Sequence, residues 1–294
     1  MPRLSVSRHG LKVAKMRLQG GAVGGGIRGG VGGWSIKATR RNTDFLRSID
    51  ERKLTGAGVA LTLTLRTCPP TSDDWHRLRK AWQERMRRAG MVRIHWVTEW
   101  QRRGVPHLHV AIWWPDAYRI TDPIRAWLDL AEEYGAGFKG QHGKVIDGPV
   151  GWFQYLSKHA ARGVKHYQRS GDNMPTGWQE KTGRVWGYGG DWPLQEPVNV
   201  HLDDDGFYAF RRLVRSWRIG NARASGDKAR EIHARHMLRH PDPKISALRP
   251  VSEWCSQSQA LMFLGNLASR GYGFDLMPPK PTAGVVADET GTSA

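Results

Sequence analysis

The chain has 294 residues, with 45 Lys and Arg against 27 Asp and Glu for a formal net charge of +18. That length suffices for one or two domains with a substantial core, and the basic excess favours a polyanionic partner, nucleic acid before an anionic membrane surface. No apolar run approaches the roughly 20 residues that span a bilayer, the basic N-terminus lacks the apolar segment of a secretory signal, and the two cysteines, Cys68 and Cys255, exclude a disulfide framework or a paired-cysteine metal clip, so a reduced cytoplasm is expected.

Residues 1–33 mix basic side chains with a glycine-dense run from Gly20 to Gly33. Such sequence buries little and loses much entropy on ordering, so a flexible basic arm is expected there. Trp34 to Ser48 carries Arg40, Arg41 and Arg47 between apolar residues and reads as a short helix packed loosely on the segment after it. Val59 to Arg66 alternates strictly, the pattern of a half-buried strand with Leu61, Leu63 and Leu65 inward and Thr62 and Thr64 on the opposite side. Thr71 or Ser72 then caps a helix whose Trp75, Leu78, Trp82 and Met86 fall at spacings of three and four, ended by Gly90.

The stretch from Trp96 to Trp114 reads as two strands joined by a short basic turn at Arg102-Arg103-Gly104. Residues two apart in a strand share a face. One face is then Val92, Ile94, Trp96, Thr98, Trp100, Leu108, Val110, Ile112 and Trp114, almost wholly apolar and suited to a core. The other carries His95, Val97, Glu99, Gln101, His107, His109, Ala111 and Trp113. If the hairpin closes around Arg103, Glu99 lies opposite His107 with His109 one step along, and two imidazoles and a carboxylate converge. A His-x-His pair by itself is more often just solvated; the carboxylate and the clean apolar opposite face favour a metal site here. Mixed nitrogen and oxygen ligands suit Mg²⁺, Mn²⁺ or Zn²⁺.

A second helix is opened by Thr121-Asp122-Pro123, striped by Ile124, Trp127, Leu128 and Ala131 and stopped by Gly135. Lys144 to Ile146 reads as a short strand, and Val150 to about Arg162 as a third helix. Phe153, Leu156 and Ala160 share one side of it; Tyr155, Lys158, His159 and Arg162 share the other. Most such polar faces are simply solvated, but packing does not explain a tyrosine there. Gly183 to Gly187 and Pro197 to Leu202 read as strands, and Asp203 to Gly206 leads into a helix with Phe207, Phe210, Val214 and Trp217. Arg223 to Arg239 is a basic helix with His233, His236 and His240 on one face, read as solvated or phosphate-contacting rather than as a second metal site. From Pro278 the composition is that of a disordered tail.

Three stretches in this order resemble a known family: Leu61 to Pro69; Glu99 with Pro106-His107-Leu108-His109-Val110; and Tyr155-Leu156-Ser157-Lys158. They resemble the HUH-type rolling-circle replication initiator endonucleases, above all the replication-associated proteins of filamentous phages of gene II protein type. Lys165 to Arg169 and Gly183 to Gly187 look like further stretches of that group, and the likeness covers roughly residues 55 to 195.

The resemblance implies an α+β fold: an antiparallel β-sheet palm, RRM-like, with helices on one side, the His pair on a central strand and the tyrosine helix over the site. The division it suggests is an arm at 1–33, an endonuclease domain at 34–202, a mainly helical basic C-terminal extension at 203–277 and a tail at 278–294. By position, Glu99, His107 and His109 are the implied ligands of Mg²⁺ or Mn²⁺, Tyr155 the nucleophile and Lys158 the family's lysine. Arg102, Arg103, Arg162 and Lys165 are the expected DNA contacts. The implied function is nicking and rejoining of single-stranded origin DNA through a 5′-phosphotyrosine link that frees a 3′-hydroxyl, in the cytoplasm of a bacterial host cell. No GxxxxGK[ST] loop occurs, so unwinding and extension are expected of a host helicase and polymerase. Where some relatives carry a second tyrosine, this chain has His159, which leaves open a single-tyrosine mechanism, help from Tyr167 or a second protein copy. Trp100, Trp113, Trp114, Trp178 and Trp186 can stack on bases, although most suit a core. The other readings are an HUH transposase or relaxase, and a non-catalytic basic DNA-binding module.

Overall fold

The computed structural model describes residues 2–15, 33–116, 119–161, 167–179, 181–239 and 251–278. In chain order the elements are β1 (Pro2–Ser7), β2 (Gly10–Lys15), α1 (Ile36–Ser48), β3 (Ala57–Thr64), α2 (Ser72–Arg88), β4 (Arg93–Trp100), β5 (Pro106–Trp114), α3 (Thr121–Leu130), β6 (His142–Val145), α4 (Pro149–Ala161) and α5 (Thr176–Gln179). They continue with β7 (Trp186–Gly190), β8 (Val198–Leu202), α6 (Asp204–Ala224), α7 (Lys228–Arg239), β9 (Val251–Trp254), α8 (Gln257–Ser269) and β10 (Phe274–Leu276). The class is α+β, with the strands in two five-stranded sheets that belong to two compact units.

The larger unit holds the elements from α1 to β7. Its sheet runs β6-β3-β5-β4-β7, with every neighbour antiparallel. The face assigned to the core packs as expected: Leu61, Leu63, Ile94, Trp96, Trp100, Leu108, Val110 and Ile112 join Trp75, Leu78, Trp82 and Met86 of α2 and Ile124 and Trp127 of α3. Several of the buried indoles have their N–H satisfied within the unit. Trp75 donates to the Thr98 hydroxyl at 3.2 Å, Trp82 to the Pro123 carbonyl at 2.9 Å and Trp127 to the Thr64 carbonyl at 3.1 Å. Trp100, Trp113, Trp114 and Trp178 are likewise buried, while Trp186 is half-buried.

The opposite face of this sheet is covered too, by α1 and α4, so helices flank both sides rather than one. Phe45 of α1 stacks on His95 and on Tyr188, with ring centroids 5.6 and 4.0 Å away. Leu46 and Ile49 are fully buried. The loose packing expected of α1 is therefore replaced by a tight contact: Arg40 and Arg41 lie on its exposed side, leaving an apolar stripe that their charge masked in the sequence. Strand β7 starts three residues later than its expected position. Gly187 there lies under the Trp96 indole, where a Cβ would come within 2.8 Å of the ring.

The smaller unit holds β1 and β2 together with the elements from β8 onward. Its sheet runs β10-β8-β1-β2-β9. Residues 2–15, expected as part of the glycine-rich arm, are thus its central strands, and the boundary expected after residue 202 falls before β8. The reason is non-local: Leu4, Val6, Leu11 and Val13 alternate inward, but the partners that cover them, Val200 and Leu202 of β8, Phe207, Phe210 and Val214 of α6 and Phe263, Leu264 and Leu267 of α8, come from the far end of the chain. Residues from 203 onward are mainly helical as expected, through α6, α7 and α8, and their short strands β9 and β10 join the sheet of β1, β2 and β8. His233 and His236 are exposed on α7; His240, residues 16–32 and the tail from 279 lie outside the described residues. No helix among the described residues is long and apolar enough to cross a membrane.

Candidate metal and nucleophile site

The β4–β5 hairpin closes as its sequence requires. Gly104 N–H donates to the Gln101 carbonyl at 3.0 Å and Gln101 N–H to the Val105 carbonyl at 2.9 Å, with Gly104 at φ 75°, the left-handed conformation that glycine adopts without strain. The resulting register sets Glu99 opposite His107 and Val97 opposite His109. On its other edge β5 pairs with β3, so Thr62 faces His109. The two histidines thus stand on the central strand of the five.

Glu99, His107 and His109 each aim one ligand atom at a common point, all within 4.8 Å of one another. His109 Nε2 lies 3.0 Å from His107 Nε2 and 3.5 Å from Glu99 Oε2, and His107 Nε2 lies 4.0 Å from the same oxygen. The donor set fits a divalent cation. Metal bonds of about 2.1 Å to nitrogen or oxygen separate two ligands by about 3.0 Å at right angles and by about 4.2 Å across the ion, and all three spacings fall in that interval. Thr62 Oγ1 lies 3.0 Å from His109 Nδ1. With the proton on Nδ1, that contact turns the Nε2 lone pair toward the carboxylate, as metal-bound histidines require. Burial also holds His109 below the ordinary histidine value, against the opposing pull of Glu99, which favours the neutral ring that ligates.

The other oxygen of Glu99 is held by a residue that sequence reasoning left without a role. Arg169 donates Nε–H and Nη2–H to Glu99 Oε1, each at 3.2 Å, and both side chains are essentially inaccessible. No spacing signal connects positions so far apart in the chain. The only available hint is physical, since a carboxylate inside a strand buried on both faces requires a cationic partner.

Tyr155 projects from α4 onto this cluster, its ring 6.1 Å from that of His109 in an edge-on contact. The residue is 41 % exposed. One helical turn earlier, Trp152 stacks against it at 5.4 Å, a pairing that the spacing of three could have announced. Lys158 lies on α4 one turn beyond Tyr155, but its side chain, with Arg162 and Lys165, falls outside the described residues. Arg102 is exposed, with its guanidinium 5.1 Å from the Tyr167 ring centre. Arg103, an exposed residue, donates to the backbone carbonyls of Leu65 and Arg66 and to Gln101 Oε1, so it ties the hairpin tip to the residues that follow β3. Thr64, paired with His107 in the register, donates its hydroxyl to the Gly140 carbonyl at 2.8 Å.

The sequence profile of the family described as replication-associated protein ORF2/G2P matches residues 58–160, which include Glu99, both histidines and Tyr155. Similarity to individual proteins extends much further. The replication-associated protein G2P of Pseudomonas phage Pf3 is 50 % identical over 252 residues, covering 85 % of this chain and 90 % of that protein. This chain belongs to the replication-associated protein ORF2/G2P family. Two proteins of Xylella fastidiosa, each provisionally named a replication protein, extend the family relationship. The one from strain 9a5c is 53 % identical over 279 residues, 92 % of this chain and 98 % of its own length, and the one from strain Temecula1 is 54 % identical over 263 residues, 87 % and 100 %. No solved structure matches the chain significantly. These similarities make the family member a replication initiator of G2P type.

Proposed function

We propose that this initiator nicks one DNA strand at a replication origin by attack of the Tyr155 phenol on a phosphodiester, beside a Mg²⁺ or Mn²⁺ ion held by Glu99, His107 and His109, and that it later rejoins strands by the reverse reaction. The observation that carries the reading is the contact of Tyr155 with His109 above three converging ligand atoms. What a divalent ion supplies when bound there is charge withdrawal from the non-bridging oxygens of the phosphate. A free phenol has a pKa of about 10, so its proton must leave and positive charge must lie close. Water is the proposed acceptor of that proton, and Lys158, one turn along α4, is the cation proposed to stabilise the phenolate.

The Tyr155 oxygen then forms a bond to phosphorus as the bond to the 3′ oxygen breaks, and that oxygen takes a proton from solvent. The products are a 5′-phosphotyrosine and a free 3′-hydroxyl for a polymerase. The new ester keeps the phosphodiester's bond energy available for rejoining. Membership of a replication family favours origin nicking over transposition or conjugative transfer, and single-stranded origin DNA is the proposed substrate, with a host helicase to unwind it.

Single-stranded oligonucleotides tiled across the intergenic DNA beside the protein's own gene, incubated with Mn²⁺, are expected to yield a denaturation-resistant protein–DNA adduct. Chelator and Tyr155→Phe both abolish it. An adduct that survives Tyr155→Phe refutes the nucleophile, and tight binding without cleavage in any divalent metal leaves a non-catalytic DNA-binding module.

A further inference from the structure

We infer that Arg169 is a positioning residue that dictates which oxygen of Glu99 a metal ion meets, and that Trp34 holds Arg169 in that pose. The inference rests on the metal-dependent reading above and adds to it the device that orients the carboxylate.

Three observations lead to it. First, both donors of the Arg169 fork converge on Oε1, at 3.2 Å each, while Oε2 is the oxygen that lies 3.5 Å from His109 and 4.0 Å from His107. The carboxylate is therefore split between a structural oxygen and a ligand oxygen. A glutamate has three side-chain torsions and the last is broad, so nothing intrinsic to Glu99 selects one oxygen. A planar fork does, and the ammonium of a lysine, a point donor, does not.

Second, the fork is itself braced. The guanidinium Cζ lies over the indole of Trp34, 4.0 Å from the ring centre, and Trp34 donates its own N–H to the Thr98 carbonyl at 2.9 Å. Thr98 is the residue before Glu99, so the brace and the carboxylate share one strand. Arg169 Nη1 also reaches Thr39 Oγ1 at 3.4 Å, on the first turns of α1. Third, Arg169 is 1 % exposed and Trp34 4 %. A group buried that deeply cannot serve as a phosphate contact on the surface, so its charge is directed at Glu99.

The test uses the full chain and titrates Mn²⁺ calorimetrically, alongside cleavage measured as a function of Mn²⁺. Arg169→Lys keeps the charge and loses the fork. Its Mn²⁺ Kd is expected to rise by about 10- to 100-fold, the usual effect of losing a partner that orients a ligand. Its cleavage is expected to recover at saturating Mn²⁺, whereas Tyr155→Phe stays inactive at every concentration. Trp34→Leu, which leaves the fork but removes its brace, is expected to move Kd in the same direction by less, and it decides the matter if Arg169→Lys does not fold. An unchanged Kd in the folded Arg169→Lys protein, with binding lost in Glu99→Gln, overturns the inference alone, as does a cleavage defect that saturating Mn²⁺ leaves in place. If Glu99→Gln and His107→Ala bind Mn²⁺ as the wild type does, the metal reading falls and this inference with it.

Discussion

On β4, four residues before Glu99, His95 has its Nε2 2.8 Å from Asn42 Oδ1 and its ring stacked on Phe45, with no solvent access. Burial pushes its pKa from 6.5 down to about 3. The folded state thus resists a proton that the unfolded chain accepts, so the contribution to stability is full above pH 6.5 and is lost progressively as pH falls toward about 3. Between pH 7 and pH 5 the loss from this one group is about 2 kcal/mol. His9, His76 and His109 are shifted in the same direction by burial and add to it. In His95→Gln, which keeps an N–H donor for Asn42 but does not titrate, urea unfolding is expected to show a pH 7 to pH 5 difference smaller by that amount. An undiminished difference would mean that His95 is not the group responsible.

Among the elements, α2 shows how closely local sequence can specify structure. Thr71 Oγ1 accepts the Asp74 N–H at 3.2 Å and the Asp74 carboxylate accepts the Thr71 N–H at 3.0 Å, a reciprocal cap that satisfies donors the helix would otherwise leave open. Thr71→Ala is expected to cost about 1 kcal/mol of stability, read as a lower Tm. The β4–β5 hairpin was legible for a similar reason: alternation and a glycine turn set its register, and register placed Glu99 opposite His107. Elements whose partners are remote were not legible. The apolar stripe of α1 was hidden among arginines, and Arg169 reaches Glu99 only once the sheet and the segment after α4 are both in place.

At the scale of the whole molecule, residues 2–15 combine in one sheet with strands from residues 198–276. β1 and β2 occupy the middle of the order β10-β8-β1-β2-β9. Deleting residues 2–15 leaves β8 with β10 alone, removes β2 from beside β9 and uncovers the apolar side chains of α6 and α8. Proteolysis of that variant is expected to degrade the segment from residue 197 onward and to leave a resistant fragment spanning α1 to β7, which carries its own core of tryptophans and leucines. Equal resistance of both parts would mean that the terminal strands do not support the smaller unit.

While the α+β class came from the family resemblance, the sequence by itself determined the helices α2 to α4, the β4–β5 hairpin, and the convergence of Glu99, His107 and His109. Each of these rests on periodicity or on residues adjacent in a strand or helix, where backbone geometry converts spacing into position. Only the tertiary structure decided that the N-terminal strands belong with the C-terminal ones, that both faces of the larger sheet are covered, and that Arg169 and Trp34 stand behind Glu99. Those depend on contacts between distant segments, which burial of apolar and charged groups selects and which no local period records.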